Sequence, residues 1–266
     1  MSADSHPLLA VAALTGGVGL ASALAASVFM VLPEAVRRAL VPHLVSFATG
    51  ALLGAALLGF LPEALEAAGP GHGAAIGAVT LAGLLTFFVL EKLVLWRHSH
   101  EDPFEGHEPH DRTHAVGPMI LWGDAFHNVV DGVVIAAAYL TNPGFGAATA
   151  LAVFAHELPQ EVGDIGILLH SGMSRGRALG LNLLVSAAAV LGGVIAARAL
   201  GRALTLLPFA LAFAGASLLY VAVADLIPGL HRHLGLRRSL EQLLLILMGV
   251  AVIWVTQHQA GAPQDR

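Results

Sequence analysis

The 266-residue chain has no cysteine. Disulfide frameworks, Cys-rich zinc modules, iron–sulfur clusters and thiol nucleophiles are thereby excluded. Charge is scarce as well: Asp, Glu, Lys and Arg make up 12% of residues, against about 25% in a soluble domain. With 56% hydrophobic residues and a mean hydropathy of +0.77, the chain lacks the polar shell that a soluble enzyme of this size needs. It is equally unlike a disordered chain, which combines low hydrophobicity with high net charge. The net charge is −5 and there is no basic tail or stripe, so no nucleic-acid partner is expected. One residue type is plentiful: 14 histidines stand beside only 13 Lys and Arg.

What is present instead is apolar sequence in long runs. A bilayer core about 30 Å thick needs roughly 20 apolar residues per helix. Eight such stretches occur, near 8–32, 44–61, 74–96, 117–140, 146–170, 178–200, 205–228 and 240–257. They are continuous and lack the alternation of β-barrel strands. The first reads as a true span and not a signal peptide, since residues 1–7 carry no Lys or Arg and the run is long. Placing both termini outside puts ten of the 13 Lys and Arg on the inside and only Arg198, Arg202 and Arg266 outside. The expected fold is an all-α integral membrane protein of eight transmembrane helices, a single domain over 1–266. Its one long polar connection is an inside loop at about 97–116.

Ionisable groups within a span cost about 2.5–3.5 kcal/mol each on insertion scales, so they persist where they meet partners or line a cavity. In the fourth span Asp124, His127, Asn128 and Asp131 stand at i, i+3, i+4 and i+7. On a helix these fall within an arc of about 100°. In the fifth, His156, Glu157, Gln160, Glu161 and Asp164 cover about 140° and include three carboxylates within eight residues. Such carboxylates repel one another unless a cation joins them. Pro159 removes a backbone donor beside them. Two facing stripes of imidazole, carboxylate and carboxamide make an N/O site without sulfur, suited to a first-row divalent metal such as Zn²⁺; Fe²⁺, Mn²⁺ and Co²⁺ stay open on ligand type alone.

At these residues the sequence resembles the ZIP (Zrt-, Irt-like protein) family of divalent metal transporters. HNVVDG (127–132) and HELPQEVGD (156–164) are similar to the family's paired HNxxDG and HExPHExGD patterns. The likeness extends through FATGALLGAALLGFLPEAL (47–65), FFVLEKLVLW (87–96), HSGMS (170–174), NLLVSAAAVLGG (182–193) and SLLYVAVADLIPGL (217–230). The resemblance implies a ZIP-like bundle that carries Zn²⁺, or Fe²⁺, Mn²⁺, Co²⁺ or Cd²⁺, into the cytoplasm as substrate and not as a catalytic cofactor. It implies a two-metal site, with His127, Asp131 and His156 on one ion and Asn128 and Glu157 on the other, bridged by Asp131. Glu161, and after it Asp124, Asp164 and Asn182, are further ligand candidates, and Glu63 is a candidate guide at the outer mouth. Gln160 stands where the family often has His, and Gly59 where many members have His. Ala55 and Gly229 likewise replace residues that are commonly polar.

The inside loop carries His98, His100, His107, His110 and His114 among acids. It reads either as a metal-collecting segment or as a solvated linker. The rival reading of the whole chain is a membrane-embedded zinc protease, because HELPQ is one residue from HExxH. The expected partners are divalent metal ions and the lipid bilayer, with a homodimer as a further possibility. Twelve of the 13 basic residues are Arg, which hints at a bacterial inner membrane.

Overall fold

The computed structural model describes residues 5–99, 112–231 and 235–261. Among these the chain folds into eight long helical segments and no strand. They are α1 (Ser5–Val31), α2 (Glu34–Ala68), α3 (Gly73–Ser99), α4 (Arg112–Thr141), α5 (Pro143–His170), α6 (Arg175–Arg202), α7 (Leu204–Leu230) and α8 (Leu236–Gly261). Six are long and apolar enough to cross a membrane; α4 and α5, which carry the acid clusters, fall outside that group.

The surface is apolar and the interior holds the polar groups. Leu20, Leu24 and Val28 on α1, Leu81 and Leu85 on α3, Leu184 and Ile195 on α6, and Leu244 and Leu247 on α8 are all exposed. Asn128, Asp131, His156, Glu157, Glu161, Asn182 and several hydroxyls are buried. Water would penalise that outer surface and lipid does not, so the chain is an all-α membrane protein. Buried Thr15, Ser46 and Thr49 satisfy their own hydroxyls by donating to carbonyls one turn back.

α1, α4, α5 and α6 pack as one group. α2 packs against α7 and α8 and bridges to α5, while α3 lies at the edge against α7. Glycine sets the closest approaches. A Cβ on Gly132 would overlap the Ala189 carbonyl of α6, and one on Gly192 would overlap the Val129 carbonyl of α4. The α4 and α6 backbones therefore touch directly, as small residues allow in membranes. Gly50 and Gly249 do the same for α2 and α8.

The helix that carries the second apolar run begins before it, at Glu34, ten residues ahead of the expected span start near 44. Pro33 precedes the first turn, and Arg37, Arg38 and His43 ride a helix end that need not lie in hydrocarbon. α2 and α7 each widen into a π-helical stretch, at Ala55–Phe60 and Val221–Leu226. In both, a proline follows two residues later, Pro62 and Pro228. A proline donates no N–H, which leaves the preceding turn free to loosen.

Candidate metal centre

α4 and α5 are antiparallel neighbours linked by Asn142. Its side chain accepts from the Gly144 and Phe145 amides at 2.7 and 3.3 Å and caps α5, with Pro143 in the first turn. This tight link sets the C-terminal half of α4 against the N-terminal half of α5. The polar stripes, which start near the middle of each helix, then meet.

Where they meet, His127, Asp131, His156 and Glu157 each aim one ligand atom at a common point, all within 4.8 Å of one another. His127 Nε2 lies 3.1 Å from His156 Nε2, and 3.6 Å from both Asp131 Oδ2 and Glu157 Oε1. His156 Nε2 lies 3.1 Å from Asp131 Oδ2 and 3.7 Å from Glu157 Oε1. Four ligands held tetrahedrally at about 2.0–2.2 Å from a zinc ion would sit roughly 3.3–3.6 Å apart. The spacing suits one metal-sized ion.

The chemistry of the four atoms agrees. His156 Nδ1 faces the Ala152 carbonyl at 3.2 Å, and only a protonated Nδ1 can bond there. That leaves Nε2 as a lone pair. Asp131 Oδ2 and both Glu157 oxygens are buried without a hydrogen-bond donor, and Asp131 is only 2% exposed. Lone pairs packed this closely repel, and a divalent cation satisfies all of them at once.

The other predicted residues divide into groups. Asp124, Gln160 and Asp164 join Gly123 and His127 in lining a cleft of about 220 Å³, so His127 belongs to both cluster and cleft. The Gln160 oxygen in that wall is buried without a partner. Asn128 donates from Nδ2 to Asp124 Oδ1 at 3.0 Å and to the Asp124 carbonyl at 3.1 Å. Glu161 turns away from α4. Its Oε1 accepts from Ser22 of α1 at 2.9 Å and from Ser186 of α6 at 3.0 Å, and its Oε2 is buried without a donor. Asn182 is wholly buried, and neither polar atom of its side chain has a partner. Glu63 lies near the C-terminal end of α2, away from the cluster. His100, His107 and His110 lie outside the described residues; His98 and His114 belong to the flanking helix ends, whose side chains are likewise not described.

By spacing alone the five polar groups of α5 read as a single stripe. An arc that wide faces two neighbours, and the structure gives Glu161 to α1 and α6. Ser22 and Ser186 were missed, although small hydroxyls inside apolar spans could have flagged them. Also missed was the hydrogen bond from Tyr220 of α7 to Glu91 of α3.

A model of the ZIP zinc transporter family matches residues 98–257, more than half of the chain. The chain belongs to the ZIP family. Among its relatives, zinc transporter ZIP13 of Pongo abelii is 32% identical over 223 residues, which cover 79% of this chain and 65% of that protein. Zinc transporter foi of Drosophila melanogaster is 38% identical over 148 residues, 55% of this chain and 21% of its own length. Zinc transporter ZIP4 of Homo sapiens is 42% identical over 135 residues, 51% and 20% respectively. The chain thus spans less than two thirds of each of these ZIP relatives. The matched region contains both α4 and α5 and so the whole of the cluster.

Proposed function

We propose that this ZIP protein carries Zn²⁺, or a similar first-row divalent ion, across the membrane into the cytoplasm. The observation that carries this reading is the His127–Asp131–His156–Glu157 cluster, three buried electron-pair donors and one half-buried one at ion-sized spacing midway along two helices. The names of the relatives, all zinc transporters, support the same substrate class. In this reading the chain has eight spans with both termini outside and acts as one transporter domain. The Arg-over-Lys bias supports a bacterial inner membrane as its location.

The cleft supports a direction. It is lined from the N-terminal half of α4 and the C-terminal half of α5, the end of the bundle that carries Arg37, Arg38, Arg175, Arg177, Arg237 and Arg238. By charge bias that end is cytoplasmic. An ion would exchange its water for the four donors, as in other selective pathways. It would then leave past Asp124, Gln160 and Asp164, which take over its hydration stepwise. Because binding must stay weak enough for release, a carboxamide in the exit wall suits passage. A second ion beside the first is supported by Glu161 Oε2 and Asn182, buried polar groups still without partners. Asn128, with its nitrogen committed to Asp124, would contribute its oxygen.

Proteolysis is the weaker reading. Gln160 occupies the position of the second zinc-binding His in HExxH, and the cluster draws on two helices where that motif uses one. The deciding experiment is uptake into proteoliposomes holding the full chain, with Fe²⁺, Mn²⁺, Co²⁺ and Cd²⁺ as competitors of Zn²⁺. Saturable Zn²⁺ entry that these ions reduce is expected. Flux no greater than in protein-free liposomes, with cleavage of a peptide substrate, would overturn the reading.

A further inference from the structure

Away from the metal path, α2 and α8 touch at Gly50 and Gly249 and run parallel. Their N-terminal ends frame a cavity of about 320 Å³, lined by Arg38, His43, Ser46, Arg238, Glu241 and Gln242. A second groove of about 540 Å³ adjoins it and shares Arg38 and Pro42. Its remaining wall carries Glu34 and Arg37 together with an apolar strip, Phe29 and Met30 of α1, Val41 of α2 and Val162 of α5. A basic chamber thus adjoins a groove with an apolar strip along one wall.

The arginines here outnumber their acids. Arg38 pairs with Glu34 and Arg237 with Glu241, each one turn apart on its own helix. Among the described residues, neither Arg37 nor Arg238 has a carboxylate in ion-pair range. Arg37 Nη1 donates to the Met30 sulfur at 3.4 Å, and its Nε is buried with no hydrogen-bond partner. A guanidinium held half-buried without an anion is incomplete. Basic pockets between transmembrane helices at the cytoplasmic face suit phosphate-bearing headgroups.

We propose that this paired cavity is a binding site for an anionic phospholipid. The phosphate sits between Arg37, Arg38 and Arg238, and one acyl chain lies along Phe29, Met30, Val41 and Val162. The apolar strip is what selects a lipid over a free phosphate. The occupied site would tie α8 to α1, α2 and α5, and its lining includes none of the four cluster residues.

Native mass spectrometry of the full chain, from nanodiscs of phosphatidylcholine alone or mixed with phosphatidylglycerol, tests this. Wild-type protein should keep phosphatidylglycerol selectively. The Arg37→Gln/Arg238→Gln pair should retain about thirtyfold less, since each basic residue near such a surface is worth a factor of about five. Val41→Trp, which fills the groove and leaves the charges alone, should also lose the lipid. Arg175→Gln/Arg177→Gln removes the same charge from the same end and should change nothing. Equal loss in that control pair, undiminished retention in the first pair, or equivalent thermal stabilisation by inorganic phosphate alone would each overturn the proposal.

Discussion

The two halves of α4 share one helix and have opposite chemistry. From Asp124 to Asp131 the inward face offers carboxylate, imidazole and amide, whereas Val134 to Ala138 are fully buried and wholly apolar. α5 repeats the division in reverse, with Phe145, Ala148 and Ala152 buried in its first half and the polar run in its second. Because the helices are antiparallel, like halves lie together. One end of the pair is a polar cleft reaching the cluster. The other is a plug, in which Phe60 packs on Phe145 with ring centroids 4.9 Å apart. On the proposed transport reading, the contrast makes α4 and α5 a path closed at one end, with binding and sealing assigned to separate residues.

The largest effects should come from the polar half. Asp131→Ala removes a donor in contact with both imidazoles and leaves Glu157 buried beside an incomplete set. Loss of a direct ligand should exceed the factor of up to about 100 typical of outer-shell changes. Zn²⁺ uptake should fall by more than that, with unchanged membrane insertion by surface labelling. Wild-type uptake by Asp131→Ala would separate the cluster from transport.

The plug should respond differently. Phe60→Ala removes a fully buried ring, a change costing about 3–5 kcal/mol in stability. It should lower the melting temperature and open the sealed end while leaving ion affinity intact. The absence of native cysteine makes this measurable. A thiol at Gly123→Cys, in the cleft wall, should react with a water-soluble maleimide, and one at Ala138→Cys should not until Phe60 is also replaced. Fast labelling of Ala138→Cys alone would mean the plug is not a seal.

Between these sits Glu161, whose carboxylate is steered by hydroxyls from two other helices. Ser186→Ala withdraws one. Interhelical hydrogen bonds in membranes average about 0.6 kcal/mol and reach about 1.7, so Zn²⁺ affinity measured by calorimetry should drop about threefold to twentyfold. Ser22→Ala should do the same, and the double variant should lose more than either. No change in any of the three would make Glu161 a purely structural acid.

Much of this contrast was legible in the residues. The spacing of Asp124, His127, Asn128 and Asp131 is a helical stripe in any surroundings, and the α5 acids are conspicuous because acids are so rare elsewhere. Span ends followed from hydropathy wherever loops are polar, as at Thr141–Asn142–Pro143. Hydropathy marks the apolar run of α2 and not its helical start at Glu34, because helix continues where hydrophobicity stops. It was also silent on which neighbour each polar group meets. Ser22 and Glu161 are 139 residues apart in sequence, and only packing joins them. The π-helical stretches have a local cue, Pro62 and Pro228, yet a proline announces a weak turn without saying how it will relax.

The smallest predicted effect concerns the boundary between cluster and exit. Gln160 lines the cleft with a buried, unpartnered amide oxygen next to His127. An amide is a neutral and weak ligand, and imidazole favours the zinc end of the first-row series. Gln160→His should therefore hold the ion longer on its way out without altering the four donors behind it. Zn²⁺ uptake should show a lower KM and a lower maximal rate, each by less than about tenfold, with Mn²⁺ competing less well than before. The split between the two parameters is the informative part. A ligand added to the cluster itself would deepen binding of every ion, whereas one added to the exit slows release and discriminates by softness. An unchanged competition profile would mean that Gln160 only fills space in the wall, and that selectivity is fixed before the ion enters the cleft.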